Sequence, residues 1–171
     1  MGIYRYLYKT PYGFDDLIMN GDGEYLTALC FEKSKDISKL CRDCEEKITP
    51  IFEDAIRWLD MYFGGKVPDF TPKYKIENLT PFRSRVIEFI KEIPYGEAVS
   101  YGDIARKIAA LKGIAKMSAQ AVGGAVGSNP ICIIVPCHRV VGLGGKLVGY
   151  GGGLQNKAGL LRLEGIDYAK V

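Results

Sequence analysis

The first third of the chain carries short apolar stretches of the kind that form β-strands. They cover residues 3–9, 16–19 and 25–31, and Asn20-Gly21-Asp22-Gly23 between the last two is a hairpin signal. Aromatic and β-branched residues in these stretches fit a half-buried pleated surface. The pattern therefore predicts a small antiparallel sheet at the start of the chain.

A helical spacing of apolar residues follows the predicted sheet. Thr49 can cap this helix with Pro50 at its first position, and Gly64-Gly65 ends it. The preceding residues, 33–48, are polar and irregular, and residues 66–79 contain two prolines and mixed polarity. We interpret the latter as a linker between two lobes, which places the domain boundary between residues 1–79 and 80–171.

The second half of the chain predicts mainly helices. Thr80-Pro81 opens the first of them, and Ser100-Tyr101-Gly102-Asp103 resembles a capping box that opens the next. Two short helices followed by a hairpin match a helix-turn-helix with a wing. The predicted elements are helices over 81–90, 100–111, 117–127 and 154–163, a short strand over 131–135 and a hairpin turn over 142–147.

Charge divides the chain unevenly. Residues 1–80 hold 11 Lys and Arg against 14 Asp and Glu, whereas residues 81–171 hold 12 against 6. We therefore expect a polyanion to dock on the second half. No apolar run is long enough to span a membrane, and the first residues lack the apolar core of a signal peptide, so we expect a cytoplasmic protein.

The five cysteines lie at positions 30, 41, 44, 132 and 137. Their odd number, without a secretion signal, indicates reduced thiols and no disulfide framework. Cys41 and Cys44 have C-x-x-C spacing, but no second pair follows at zinc-finger spacing. We expect Cys132 in the core, and we expect neither a metal nor a cofactor.

The candidate chemistry lies in the sequence Pro136-Cys137-His138-Arg139-Val140. His138 is the single histidine of the chain, which excludes sites that need two imidazoles. A thiol with an unperturbed pKa is a weak nucleophile, because the thiolate is the reactive form. A neighbouring imidazole can take its proton. On a strand the two side chains would point to opposite faces, so their cooperation needs a turn or a bridging water.

This sequence and its surroundings resemble the O6-alkylguanine-DNA alkyltransferases, also called methylated-DNA–protein-cysteine methyltransferases. The resemblance covers about residues 80–166, in matching order and spacing. It includes Pro94–Glu97, Val99–Gly102, Ala121–Ala125, Asn129-Pro130, Gly149-Tyr150, Leu160-Leu161 and Leu163–Gly165. It implies an α+β fold, with a ribonuclease H-like N-terminal lobe and a winged helix-turn-helix-like C-terminal lobe that carries the acceptor cysteine.

The resemblance also implies a role for each matched residue. Cys137 would accept the alkyl group, His138 would act as its base through a water, and Glu164 would hold the imidazole. Asn129 would act as a hinge, and Tyr101 would donate a proton as the alkyl group leaves. Guanine would be held by the Gly151 amide and by the backbone carbonyls of Cys137 and Val140, with Tyr150 as a wall.

The implied partner is double-stranded DNA containing O6-alkylguanine, with O4-alkylthymine as a further candidate, and the implied protein is a monomer consumed once per lesion. Because the base must be flipped out of the duplex, a helix of small residues would enter the minor groove. Gln120 stands where some relatives carry an arginine that fills the vacated space. The implied DNA-contacting residues are Ser118, Ala119, Gln120, Ala121, Gly123 and Arg139.

Two other functions are compatible with parts of the sequence. A non-enzymatic winged-helix sensor or regulator of DNA damage would use the same helices, but it would not need Cys137 with its relay. A Cys-His hydrolase or thiol transferase would use the thiol, but it would leave the glycine-rich helix and the basic second half without a purpose.

Overall fold

The computed structural model describes residues 2–169. A four-stranded sheet forms the N-terminal lobe, in the order β3-β2-β1-β4. β2 pairs antiparallel with both β1 and β3, as predicted, whereas β4 joins the edge of β1 in parallel. The sheet is therefore mixed, because the polar stretch before the first helix contributes a strand. The strands are Tyr4–Tyr8 (β1), Leu17–Gly21 (β2), Leu26–Phe31 (β3) and Glu45–Glu46 (β4).

Helix α1, Pro50–Phe63, covers one face of this sheet. Its start matches the prediction, since the Thr49 side chain accepts a hydrogen bond from the Phe52 amide. Its apolar stripe is buried and includes Trp58 and Tyr62. Part of the segment 66–79, which we interpreted as a linker, packs against the sheet. Leu26 exchanges two backbone hydrogen bonds with Lys73 and Lys75, so this part of the segment runs along β3.

The C-terminal lobe contains the four predicted helices. The third begins two residues later than expected, and the capping box at Ser100 is present. Two short strands, Val99–Ser100 (β5) and Val140–Val141 (β6), pair in parallel. The helices are Pro81–Lys91 (α2), Tyr101–Lys112 (α3), Ala119–Gly127 (α4) and Leu154–Leu163 (α5).

Two predicted β elements of this lobe are wrong. Residues 131–135 form a tight turn with Ile133 at a positive φ, because the side chain of Asn129 binds backbone groups that a strand would use for pairing. In place of the hairpin at 142–147 there is a short 3-10 turn over Leu143–Gly145, closed by the Gly142 amide on the Lys146 carbonyl. The two-helix part, α3 packed on α4, is present.

One hydrophobic core runs through both lobes. Backbone hydrogen bonds from the Leu29 amide to Pro130 and from the Cys132 amide to Leu29 connect β3 to the segment that follows α4. The N-terminal lobe therefore supports the segment that leads to Cys137. Among residues 2–169, no helix has the length and apolar character needed to cross a membrane.

Candidate active site

Asn129 shapes the backbone that presents Cys137. Its buried amide nitrogen donates to the carbonyls of Ile131 (3.2 Å) and Val135 (3.0 Å), and its oxygen accepts from the Ile131 amide (3.0 Å). The chain then continues into a 3-10 turn, Cys137–Arg139. On this turn the thiol and the imidazole need not lie on opposite faces, as consecutive residues do on a strand.

His138 is fully buried and is oriented by Glu164. Its Nε2 lies 2.5 Å from Oε2 of the carboxylate. Because an ionised carboxylate only accepts hydrogen bonds, Nε2 carries the proton and Nδ1 keeps its lone pair. That Nδ1 atom is buried and has no hydrogen-bond partner among the described residues. Burial lowers the pKa of the imidazole, so a neutral ring offers Nδ1 as a proton acceptor.

Four groups converge on the Glu164 carboxylate, of which sequence analysis identified only His138. Tyr62 donates to Oε2 (2.6 Å), while Nε of Arg139 (2.7 Å) and the Gly96 amide (3.1 Å) donate to Oε1. Burial tends to raise the pKa of this carboxyl, but the bonds from His138, Arg139 and Tyr62 prevail and lower it to about 2. We call Tyr62, His138, Arg139 and Glu164 the Glu164 cluster.

Arg139 does not lie on the predicted DNA-facing surface. Its side chain is buried, and Nη1 donates to the Ile93 carbonyl (2.8 Å) while Nε holds Glu164. The guanidinium also lies over the Tyr95 ring. Its role in this structure is to balance the carboxylate, which is what a buried charge requires.

Cys137 is 7% exposed. Burial, and to a lesser degree the carboxylate of Asp36, raise the pKa of its thiol, whereas the nearby Asn129 amide and the positive charges of Lys157 and Lys39 act in the opposite direction. The thiolate is thus disfavoured by desolvation and favoured by a small set of identifiable groups. A base at Nδ1 of His138 can remove the proton when an electrophile is in place.

A groove of about 610 Å³ opens between α3, α4 and the loop after β6. Tyr101 and Gly123 line it, together with Val148 and Gly149 of that loop. The Tyr101 hydroxyl donates to the carbonyls of Val148 (3.3 Å) and Gly149 (3.0 Å). Burial, and next the nearby Cys137, raise the pKa of Tyr101 to about 12, so the phenol keeps its proton at neutral pH.

The residues expected to hold a base, which are Cys137, Val140, Tyr150 and Gly151, are not among those that line this groove. The Val140 carbonyl accepts from Lys157, and the Cys137 carbonyl accepts from the Val140 amide, which leaves one lone pair on each oxygen. The Tyr150 hydroxyl is buried with no partner among the described residues. A Cβ at Gly151 would meet the carboxylate of Asp36, so a side chain at this position would require Asp36 to move.

Apart from Arg139, the predicted DNA-contacting residues lie on and before α4. Ser118 caps the helix by accepting from the Ala121 amide, and Gly123 packs beside the Tyr101 ring. Nothing lies within 4 Å of where a Cβ would project from Gly124 or Gly127. We call the exposed positions Ser118, Ala119, Gln120, Ala121, Gly124 and Gly127 the α4 outer face.

Of the other four cysteines, only Cys132 was predicted to lie in the core, and it is buried. Cys132 and Cys30 are buried, while Cys41 and Cys44 are half-buried beside Asn20. All five are free thiols. Within residues 2–169, no group of three or more histidine, cysteine or carboxylate side chains is arranged to hold a metal ion.

Three residues of the site were missed by sequence analysis. Tyr62 and Asp36 belong to the N-terminal lobe, far from Cys137 in sequence, and no local pattern connects them to it. Lys157 lies in α5 and is fully buried beneath Tyr101 and Tyr150. Lys157 lies four residues after Gly153, on the face of the helix that packs against the core. A lysine at such a position is rare, so it could have been recognised from the sequence as unusual.

Two family models match this chain. Residues 81–166 match the family model of the 6-O-methylguanine DNA methyltransferase DNA binding domain. Residues 3–75 match the model of its ribonuclease-like domain. The two models together cover both lobes.

Two curated relatives are named methylated-DNA–protein-cysteine methyltransferase. The protein from Methanosarcina acetivorans is 40% identical over 163 residues, which are 95% of this chain and 99% of the relative. The protein from Haemophilus influenzae is 37% identical over 97% of this chain and 88% of the relative.

A solved structure has the same fold. The crystal structure of Mycobacterium tuberculosis OGT in complex with DNA is similar at a TM-score of 0.78 and 39% identity, over 94% of this chain and 92% of that chain. The predicted α+β fold class and the family resemblance are therefore confirmed. The chain belongs to the 6-O-methylguanine DNA methyltransferase family.

Proposed function

We propose that this protein repairs DNA by transferring an alkyl group from O6-alkylguanine to Cys137, irreversibly and once per molecule. Family membership supports direct alkyl transfer. The observation that carries the proposal for this chain is a thiol beside a buried imidazole, whose Nε2 is held by Glu164 at 2.5 Å and whose Nδ1 is left as an acceptor. A DNA-damage sensor without transfer chemistry would not need this arrangement.

In the proposed reaction, the Cys137 proton passes to His138 Nδ1 through a bridging water. The thiolate attacks the alkyl carbon in line with O6. The S–C bond forms, the C–O6 bond breaks, and its electron pair moves to the purine. Tyr101 donates a proton to N3, and the proton taken by His138 later restores the phenol. In net terms, a thiol and an O6-alkylguanine become a thioether and a guanine.

Recognition of the base would use donors and acceptors of the site. The Gly151 amide would donate to O6, and the carbonyls of Cys137 and Val140 would accept from the exocyclic amine with their second lone pairs. Tyr150 would form the wall of the pocket. Tyr101 would first leave the carbonyls of Val148 and Gly149, to which it donates in the free protein.

Docking on the duplex would use the α4 outer face, whose small side chains suit the minor groove. Gln120 would fill the space of the flipped base. Nearby cations would contact phosphates; the candidates are Arg83, Arg106, Lys107, Lys112 and Lys116. We propose a cytoplasmic monomer in which residues 1–79 support residues 80–171.

The test is mass spectrometry after incubation with a duplex that contains O6-methylguanine. We expect one added methyl group, located on the peptide that holds Cys137. The Cys137→Ala variant should bind the duplex and gain no mass. An unmodified wild-type protein that binds the duplex would favour the sensor function and overturn the proposal.

A further inference from the structure

An exposed leucine lies on the turn that follows β6. Leu143 is 88% exposed, and neither the proposed reaction nor the docking of α4 uses it. A single exposed apolar side chain is common on protein surfaces and needs no function by itself. Leu143 differs from such a residue in the fixed turn that carries it and in the groove that it lines.

The turn that carries this leucine is held from both sides. The Gly142 amide donates to the Lys146 carbonyl (2.8 Å), and the Gly145 carbonyl accepts from the Ala169 amide (2.9 Å). Gly144 and Gly145 have φ values of 69° and 81°, which residues with a side chain rarely adopt. The backbone therefore presents the leucine without further ordering when a partner arrives, which lowers the entropic cost of binding.

Leu143 and Gln120 line the same groove from two different elements. Gln120 belongs to α4, whereas Leu143 and Val148 belong to the segment after β6. The groove of about 610 Å³ also includes Ala119, so it is continuous with the α4 outer face. Whatever docks on the α4 outer face therefore meets an amide side chain and an exposed apolar side chain together.

The charges around the groove favour an anionic partner. Arg106, which pairs with Asp103, lines the groove, and Lys146 is exposed on the same turn as Leu143. Among the described residues that line the groove, none is acidic. An apolar side chain with cations beside it suits a nucleic-acid duplex, because cations bind phosphates while an apolar side chain contacts the bases.

We propose that Leu143 is an apolar wedge that enters the minor groove and unstacks the base step beside the flipped nucleotide. Minor-groove proteins insert leucine side chains between base steps in this way. Gln120 fills the space that the flipped base leaves, and Leu143 covers the face of a neighbouring base. The inference rests on the proposed function, and it assigns Leu143 to base flipping without any contact to the alkyl group.

The experiment compares the wild type with Leu143→Ser and Leu143→Met, and Val67→Ser is the matched control. Val67 is an apolar residue of the N-terminal lobe that is 60% exposed and is not among the residues that line the groove. Single-turnover transfer is measured from O6-methylguanine in a duplex and in a single strand of the same sequence. The base of a single strand need not be extruded from a duplex, so its transfer requires no wedge.

We expect Leu143→Ser to slow transfer from the duplex about tenfold and transfer from the single strand less than about twofold. Leu143→Met should recover most of the duplex rate, because it keeps an apolar side chain of similar size. Val67→Ser should match the wild type on both substrates. An unchanged duplex rate in Leu143→Ser, or an equal slowing on both substrates, would overturn the inference.

A second measurement follows unstacking without alkyl transfer. The fluorescence of 2-aminopurine placed beside O6-methylguanine in the duplex should rise when saturating Cys137→Ala protein binds, and adding Leu143→Ser should remove most of this rise. An equal rise in both proteins would contradict the wedge even if transfer occurs. A wild type that transfers no alkyl group, together with a rise that depends on Leu143, would overturn the proposed function and support the wedge.

Sedimentation of the free proteins tests a second copy of this chain as the partner of Leu143. We expect the wild type and Leu143→Ser to sediment alike. Self-association that is lost in Leu143→Ser, with an unchanged rate of duplex transfer, would assign the leucine to contacts between copies and overturn the inference.

Discussion

The Glu164 cluster, which joins residues of both lobes, and the α4 outer face of the C-terminal lobe are constructed in opposite ways. In the cluster, one buried carboxylate accepts from four donors contributed by both lobes. The α4 outer face consists of small side chains with open space around Gly124 and Gly127, and the sequence of α4 contains no charged residue. The Glu164 cluster holds its atoms in place with hydrogen bonds, whereas the α4 outer face leaves open space above the helix.

This difference indicates a division between chemistry and docking. Preorganised donors around a charge support a reaction because they need not rearrange as it proceeds. A helix that must approach a duplex closely benefits from the absence of side chains. Changes in the Glu164 cluster should therefore affect the rate and the stability, and changes in the α4 outer face should affect DNA affinity alone.

The largest effect is expected from Glu164→Gln. The amide NH₂ of Gln would donate to Nε2 of His138, which moves the imidazole proton to Nδ1 and removes the base. We expect transfer from a methylated duplex to slow on the order of 10³-fold, by analogy with the wrong-tautomer effect in catalytic triads. Single-turnover kinetics measures this. Duplex affinity should change less than about twofold, and a wild-type rate in this variant would contradict the assigned tautomer.

Acidification should reveal the same carboxylate in the stability of the fold. The folded-state pKa of Glu164, about 2, lies below its ordinary value of 4.5. Its contribution is complete above pH 4.5 and is lost as the pH falls towards 2, in total about 3 kcal/mol. Burial of neutral His138 adds a loss in the same direction below its ordinary pKa of 6.5.

Urea denaturation between pH 7 and pH 3 measures this loss. The free energy of unfolding of Glu164→Gln should depend less steeply on pH than that of the wild type. Glu97→Gln, which changes an exposed carboxylate, is the control and should behave like the wild type. Parallel pH profiles for Glu164→Gln and Glu97→Gln would show that the cluster does not contribute.

The two regions also differ in how far the sequence could predict them. The small residues of α4 lie close together in the sequence, and Asn129-Pro130 after the helix marks its end locally, although its start was predicted two residues early. Cys137 and His138 were identified from their adjacency in the sequence, and Glu164 through the family resemblance. Tyr62 could not be, because only the packing of α1 against the other lobe brings it to Glu164. Arg139 was assigned to DNA because sequence analysis cannot tell a buried arginine from an exposed one.

The β-propensity of the segment between the two regions gave a wrong prediction of its secondary structure. Residues 131–135 are rich in isoleucine and valine and predict a strand. In the structure the Asn129 side chain takes the backbone groups of Ile131 and Val135, and a turn results. A side chain that competes for backbone hydrogen bonds overrides propensity, and a single sequence does not reveal which asparagine will do so.

Gly124→Leu should separate docking from chemistry with a smaller effect. A Cβ here would meet no neighbouring atom within 4 Å, and position 124 is exposed, so we expect the fold to tolerate a larger side chain. In the minor groove it would obstruct the duplex, and we expect affinity to fall at least about tenfold, which is about 1.4 kcal/mol. Fluorescence anisotropy with a labelled duplex measures this, and reaction of Cys137 with iodoacetamide should remain unchanged. Gly124→Ala is the matched control; unchanged affinity in Gly124→Leu would place the duplex elsewhere.

The smallest effect is expected from Tyr62→Phe, which tests how much a single hydrogen-bond donor to Glu164 contributes to the stability and to the rate. The change removes one hydroxyl that donates to Oε2 at 2.6 Å, while the ring keeps its stacking on Trp58. A hydrogen bond to a charged group contributes about 1.5–3 kcal/mol, and the remaining donors compensate part of this. We expect a loss of about 1–2 kcal/mol in the free energy of unfolding. Because Glu164 then binds His138 and Arg139 more exclusively, transfer should slow by less than about threefold. A larger loss of rate than of stability would assign Tyr62 to the chemistry, and would move the boundary of the reacting site into the N-terminal lobe.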